Sequence, residues 1–140
     1  MHRQLTPNQS ILALDVGDVR IGVARAGALA KLPEPLPTVK NDESIMSGLQ
    51  KIIEDHQVGL IVVGLPRNLK GEETGQTAKI REFAERLDSL GVEYVFADES
   101  LSSKRADNYL RENKKSTADQ DSLAACFILE EFFTTIGQAS

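Results

Sequence analysis

The chain has 140 residues, of which 41% are hydrophobic and 26% charged, and its formal net charge is −5 at pH 7. These values predict one globular domain and exclude a surface covered uniformly with phosphate-binding charge. No apolar run reaches the length of a membrane span, and the single cysteine, Cys126, excludes an intramolecular disulfide, so we expect a cytoplasmic protein without a membrane partner.

The first part of the chain predicts an antiparallel hairpin. Ile11–Leu14 is an apolar run typical of a buried strand, and residues 20–25 form a second strand after a short turn. Three prolines, at 33, 35 and 37, then mark a loop or an edge segment that leads to Val39.

Helices and strands alternate in the rest of the chain. Apolar spacing and breakers predict, in order, a helix over 45–53, a strand over 60–63, a helix over 80–90 that ends at Gly91, a strand over 92–96, a helix over 103–112 and a helix over 119–135. The later strands should lie parallel to the first, through right-handed crossovers. We expect residues 10–135 to form the domain, with residues 1–9 and 136–140 as flexible tails.

Three acidic residues lie at the ends of separate predicted elements. Asp15 ends the first strand, Glu99 follows the strand over 92–96, and Asp121 shares a face of the last helix with apolar residues. Turn formation, the helix dipole and helix capping are the simpler explanations of these three acids, but a cap or ion-pair partner is not evident for any of them. Converging carboxylates would suit Mg²⁺. The position of Asp98 makes it an equal candidate to its neighbour Glu99.

A second group of residues could contact phosphates. The loop Gly64–Gly71 carries Arg67, Asn68 and Lys70 after a buried strand, and Arg20 opens the second strand. On spacing alone, an ordinary strand-to-helix connection is the favoured interpretation of the loop, and an exposed turn base is the alternative for Arg20.

The sequence lacks the patterns typical of zinc sites, phosphate-binding loops of NTPases and serine hydrolases. The two histidines, His2 and His56, do not have zinc-ligand spacing, and neither a Walker loop nor a G-x-S-x-G elbow is present. The chain has no tryptophan and few aromatic residues, so few side chains are available to stack on the bases of a single-stranded nucleic acid.

Four motifs carry a resemblance to a known family. They are Leu14-Asp15-Val16-Gly17 with Arg20–Ala24, Val63–Leu69 with Gly71 and Glu72, Asp98–Ser103, and Asp121–Ala125 with Ile128 and Leu129. In this order they resemble the YqgF family, which includes RuvX-like pre-16S rRNA nucleases and homologues of Holliday-junction resolvases.

The resemblance implies an α/β, RNase H-like fold, with five strands in the order 3-2-1-4-5, the first three antiparallel, flanked by helices. It implies that Asp15, Glu99 and Asp121 are the catalytic, metal-binding positions for Mg²⁺ or Mn²⁺, and that precursor 16S rRNA is cleaved at its 5′ end during ribosome biogenesis. Ser100 departs from the family, which most often has arginine there, and this affects an expected substrate contact.

Several alternatives remain open at this point. The protein could cleave DNA as a Holliday junction resolvase, which would favour a homodimer over a monomer, or it could be a non-catalytic module that binds nucleic acid or ribosomal particles. An actin-like kinase would need two such domains, and 140 residues are too few.

Overall fold

The computed structural model describes residues 5–66, 70, 72–98, 108, 111–112 and 119–139. The elements are β1 (Ser10–Val16), β2 (Arg20–Gly27), β3 (Glu34–Lys40), α1 (Ile45–His56), β4 (Val58–Leu65), α2 (Gly75–Arg86), a 3₁₀ turn (Leu87–Leu90), β5 (Glu93–Asp98) and α3 (Gln120–Ala139). Within these ranges, no helix has the length and apolar content needed to cross a membrane.

The five strands form one sheet in the order β3-β2-β1-β4-β5. β2 is antiparallel to both β1 and β3, whereas β4 is parallel to β1 and β5 to β4. The predicted order and strand directions are therefore confirmed. Because β1, β3, β4 and β5 run the same way, their last residues share one edge of the sheet, which we call the carboxyl edge; β2 begins there.

Helices cover both faces of the sheet. α1 and α2 pack on one face, where Leu12 and Leu14 of β1 are buried, and α3 packs on the other, over Ile11 and Ala13. Coverage on both sides explains why the central strands are almost wholly apolar. The two-residue period of a strand places Asp15 on the α3 face.

Several boundaries differ from the sequence prediction. The proline-rich segment forms the edge strand β3, where a missing N–H does not interrupt a central ladder. The helix predicted over 80–90 begins at Gly75, ends at Arg86 and continues as the 3₁₀ turn to Gly91, whose φ of 72° confirms the predicted stop.

The predicted helix over 103–112 is described only at residues 108 and 111–112, which are helical; the rest of it lies outside the described residues. α3 runs four residues beyond its predicted end at 135. The hydroxyls of Thr134 and Thr135 donate to the carbonyls of Glu130 and Glu131, which accommodates these polar residues within the helix.

The start of α3 lies directly on Gly22 of β2. A Cβ at this position would lie 1.9 Å from the carbonyl oxygen of Asp121 and 2.9 Å from the nitrogen of Ser122. Only glycine allows such a close approach of helix to strand. Gly27, on the same strand, has no atom within 4 Å of the equivalent position.

We expect Gly22→Ala to lower the free energy of unfolding by about 3 kcal/mol or more, because two backbone segments must separate. Gly27→Ala is the matched control and should change it by less than about 0.5 kcal/mol. Urea unfolding of both variants would measure this. Equal stabilities of the two variants would contradict the close contact at Gly22.

Candidate metal and nucleic-acid site

Two of the three predicted acids come together at the carboxyl edge. Asp15 is the penultimate residue of β1 and pairs with Gly22 of β2. The backbone of Asp121 lies over that same glycine, at the first turn of α3. Asp15 and Asp121 are distant in sequence but lie close together, because Gly22, which lies between them, has no side chain.

The electrostatics of Asp15 reflect this arrangement. Burial, together with the negative charge of Asp121, raises the pKa of Asp15 from 3.8 to about 6. Burial is the larger cause, since a carboxylate removed from water is harder to ionise, and the repulsion by Asp121 adds to it. A cation placed between the two carboxylates would relieve both effects.

Arg20 forms an ion pair with Asp121, with Nε 2.8 Å from Oδ2. The Arg20 side chain is 67% exposed and that of Asp121 42% exposed. The expectation that each acid lacks an ion-pair partner is therefore wrong for Asp121. The two residues lie at the start of β2 and the start of α3, and sequence spacing alone does not relate them.

Asp119 connects α3 to the edge strand. Its Oδ2 accepts a hydrogen bond from the backbone N–H of Thr38 at 3.3 Å. The side chain of Thr38 is the main cause that lowers the pKa of Asp119, and the backbone N–H of the same residue adds to it. Asp119 is exposed and acts as an anchor to β3. Asp119 and Asp121 therefore have different surroundings although they lie only two residues apart.

Residues in the described part of the chain line cavities on both sides of the carboxyl edge. One, of about 320 Å³, lies on the α3 side and is lined by Arg20, Lys40, Asp121 and their neighbours. The other, of about 440 Å³, lies between the β1–β2 turn and the start of α2, and its lining includes Asn41 and Lys79. Sequence reasoning missed Lys40, Asn41 and Lys79, because only the fold brings them to this edge.

The remaining predicted site residues are placed only in part. Glu99, Arg67 and Asn68 lie outside the described residues, and Lys70 is exposed in the connection between β4 and α2. Asp98 ends β5 at the carboxyl edge, so the choice between Asp98 and Glu99 stays open. Among the residues described, no group of three or more histidines, cysteines or acids lies close enough to hold a metal ion.

The donor chemistry of Asp15 and Asp121 nevertheless fits Mg²⁺. Both offer hard carboxylate oxygens, and Mg²⁺ is commonly bound through one or two carboxylates while water and phosphate fill the other positions. The raised pKa of Asp15 reflects burial first and the nearby charge of Asp121 second, and a bound cation would offset both.

A family of nucleases matches most of the chain. The family described as "RuvX: Holliday junction resolvase" matches residues 9–135. The chain belongs to this family. The sequence resemblance to the YqgF family is confirmed.

Curated relatives cover nearly the whole chain. A protein of Sulfurihydrogenibium sp. is 37% identical over 127 residues, with 87% of this chain and 88% of the relative covered. A protein of Fusobacterium nucleatum is 36% identical, with 86% and 94% covered, and one of Rickettsia typhi is 36% identical, with 92% and 87% covered. All three carry the provisional name pre-16S rRNA nuclease.

Solved structures agree with this assignment at the level of the fold. RuvC of Thermus thermophilus in complex with a Holliday junction substrate has a TM-score of 0.59 and 14% identity, with 92% of this chain and 96% of that chain covered. Another Thermus thermophilus RuvC structure has a TM-score of 0.54. The fold is therefore RNase H-like, as the sequence resemblance implied.

The raised pKa of Asp15 predicts a pH-dependent stability penalty. The folded protein holds the proton of the Asp15 carboxyl group more tightly than the unfolded chain does, so ionisation of Asp15 destabilises the fold. The penalty is absent below about pH 4, grows as the pH rises to about 6 and then stays at about 3 kcal/mol. Without divalent metal, the free energy of unfolding of Asp15→Asn, taken relative to that of the wild type, should therefore increase by about 3 kcal/mol between pH 4 and pH 7.

Urea unfolding at several pH values would measure this gain. Asp55→Asn, which removes a surface carboxylate that pairs with Lys51, is the control for the loss of one acid. A stability difference between Asp15→Asn and the wild type that stays constant from pH 4 to pH 7 would rule out the burial penalty.

Proposed function

We propose that the protein is a divalent-metal-dependent nuclease that hydrolyses phosphodiester bonds in precursor 16S rRNA. The observation that carries this proposal is the meeting of Asp15 and Asp121 at the carboxyl edge, beside Arg20. Membership of the RuvX family and relatives named as pre-16S rRNA nucleases support the reaction and the substrate.

The acids bind the metal. Asp15 and Asp121 would each offer a carboxylate to Mg²⁺ or Mn²⁺, and Glu99, which follows β5 in the sequence, would be the third ligand that the family resemblance implies. The bound ion supplies a water of lowered pKa and offsets the charge of the phosphodiester. The two-residue period of β1 places Asp15 on the α3 face, where its carboxylate is largely shielded from water.

The basic side chains orient the substrate. Arg20 and Lys40 are register neighbours on β2 and β3 and line the same cavity as Asp121. Their charges attract a phosphate backbone to an edge that is otherwise rich in acids. Arg67, Asn68 and Lys70, which follow β4 in the sequence, are proposed as further phosphate-binding residues.

Cleavage of a DNA four-way junction is the second candidate function. The description of the matching family favours it. Two symmetric cuts in a junction require a homodimer, whereas cleavage of RNA at one site can be performed by a monomer. Association with a ribosomal particle would accompany the RNA function.

The reaction is tested by incubating the protein with precursor 16S rRNA, duplex DNA and a four-way junction at one salt concentration, with Mg²⁺. We expect cleavage of the precursor RNA and a rate loss of more than about 100-fold in Asp15→Asn and Asp121→Asn, because even residues that only support metal ligands cost 10- to 100-fold when removed. Asp55→Asn, on the exposed side of α1, is the control.

The outcomes separate the candidates. Cleavage of the junction alone would replace the RNA function with the second candidate. Equal rates in the wild type and Asp15→Asn would remove Asp15 from the mechanism. Binding of RNA without cleavage, together with no binding of Mg²⁺ or Mn²⁺ at millimolar concentration, would identify a non-catalytic module.

Arg20 should contribute one phosphate contact. In Arg20→Ala, the slope of the logarithm of RNA affinity against the logarithm of salt concentration should become shallower by about 1. Fluorescence anisotropy with labelled RNA at several salt concentrations would measure the slope. Lys51→Ala, which removes an exposed lysine of α1, is the matched control, and the same slope in both variants would exclude the Arg20 contact.

A further inference from the structure

An irregularity in the edge ladder lies beside the acids. Ile21 of β2 pairs with Val39 of β3, but Val23, two residues on, pairs with Leu36, three residues back. β3 therefore has one more residue than β2 in this stretch, which is a β-bulge opposite Gly22. A bulge disturbs the local backbone hydrogen bonding and leaves room for an outside group.

The hydroxyl of Ser122, on α3, occupies this bulge. Its Oγ accepts a hydrogen bond from the N–H of Val23 at 3.2 Å and donates to the carbonyl of Leu36 at 2.6 Å. The hydroxyl of Thr38 lies 3.2 Å away and, because Ser122 has only one proton to give, acts as a donor to it. The three contacts that this hydroxyl makes within the described part of the chain are all with β2 and β3.

These hydrogen bonds tie the first turn of α3 to specific atoms of β2 and β3. Ser122 is fully buried, so loss of its partners would leave polar groups without water. The apolar residues further along α3 resist separation from the sheet but are less sensitive to a small slide along it. The Arg20–Asp121 ion pair is largely exposed and contributes little to the position of the helix.

We propose that Ser122 is a positioning residue, which sets the carboxylate of Asp121 beside Asp15 and Arg20 by bridging the β2–β3 bulge. The consequence for catalysis rests on the proposed nuclease function. The placement of Asp121 itself does not, and it can be measured without metal or substrate.

The test compares Ser122→Ala with Ser10→Ala. Ser10 is also buried and its hydroxyl also accepts a hydrogen bond, from Nε of Arg25 at 3.0 Å, but it lies at the opposite end of β1 from Asp15. Each variant removes one buried hydroxyl, so each should lower the melting temperature by about 5 °C.

The readout of position is the Nε–H resonance of Arg20 in NMR spectra, with Asp121→Asn defining the signal of the broken ion pair. We expect Ser122→Ala to move the Arg20 resonance most of the way to its Asp121→Asn position and to leave that of Arg25 in place. Ser10→Ala should move the Arg25 resonance and leave that of Arg20 in place. An Arg20 resonance that is unchanged in Ser122→Ala would overturn the proposal.

Metal affinity is the second readout. The dissociation constant for Mn²⁺ should rise about 10-fold or more in Ser122→Ala and less than about twofold in Ser10→Ala. If the wild type does not bind Mn²⁺, the proposed function fails and the Arg20 resonance alone decides the role of Ser122. Equal losses of affinity in the two variants would show a general effect of destabilisation and overturn the proposal.

Thr38→Val covers the case in which Ser122→Ala does not fold. It removes one of the three partners of the Ser122 hydroxyl and keeps the other two. A smaller displacement of the Arg20 resonance in the same direction supports the proposal, and an unchanged resonance contradicts it.

Discussion

The contact between the first turn of α3 and Gly22 determines the geometry of the whole carboxyl edge. Gly22 pairs with Asp15 on one side and lies under the backbone of Asp121 on the other. Any side chain at this position would push the helix away from the sheet and separate the two carboxylates. Gly22 therefore controls the separation of the two acids that we propose as metal ligands.

The same arrangement carries an electrostatic cost. Burial of Asp15 raises the pKa of its carboxyl group, and repulsion by the nearby carboxylate of Asp121 adds to this rise. Arg20 offsets the charge of Asp121 from the solvent side, while Asp15 depends on the cation that we propose. The fold tolerates the cost because the apolar clusters on both faces of the sheet, and the buried hydroxyl of Ser122, hold α3 in place.

The hairpin and the alternating elements could be predicted from the sequence because apolar runs, spacing and turn residues are local signals. The strand order came from the family resemblance, since periodicity does not say which strands pair. The proline-rich segment was ambiguous, because proline excludes a central strand but permits an edge one. The Arg20–Asp121 ion pair and the Ser122 bridge could not be predicted, because each joins residues about 100 positions apart. The Ser122 bridge also lies at a bulge that has no sequence pattern of its own.

A net charge of −5 is compatible with the binding of a polyanion, because a bound polyanion responds mainly to the electrostatic potential at its binding site and less to the net charge of the protein. Arg20 and Lys40 lie side by side at the start of β2 and the end of β3, next to the acids that we propose as metal ligands. The acids repel a phosphate backbone until a divalent cation neutralises them, whereas the two basic residues attract it throughout. Affinity for nucleic acid should therefore depend on divalent metal more steeply than it does in a protein whose binding surface is basic throughout, and this coupling follows from placing both charges at one edge of the sheet.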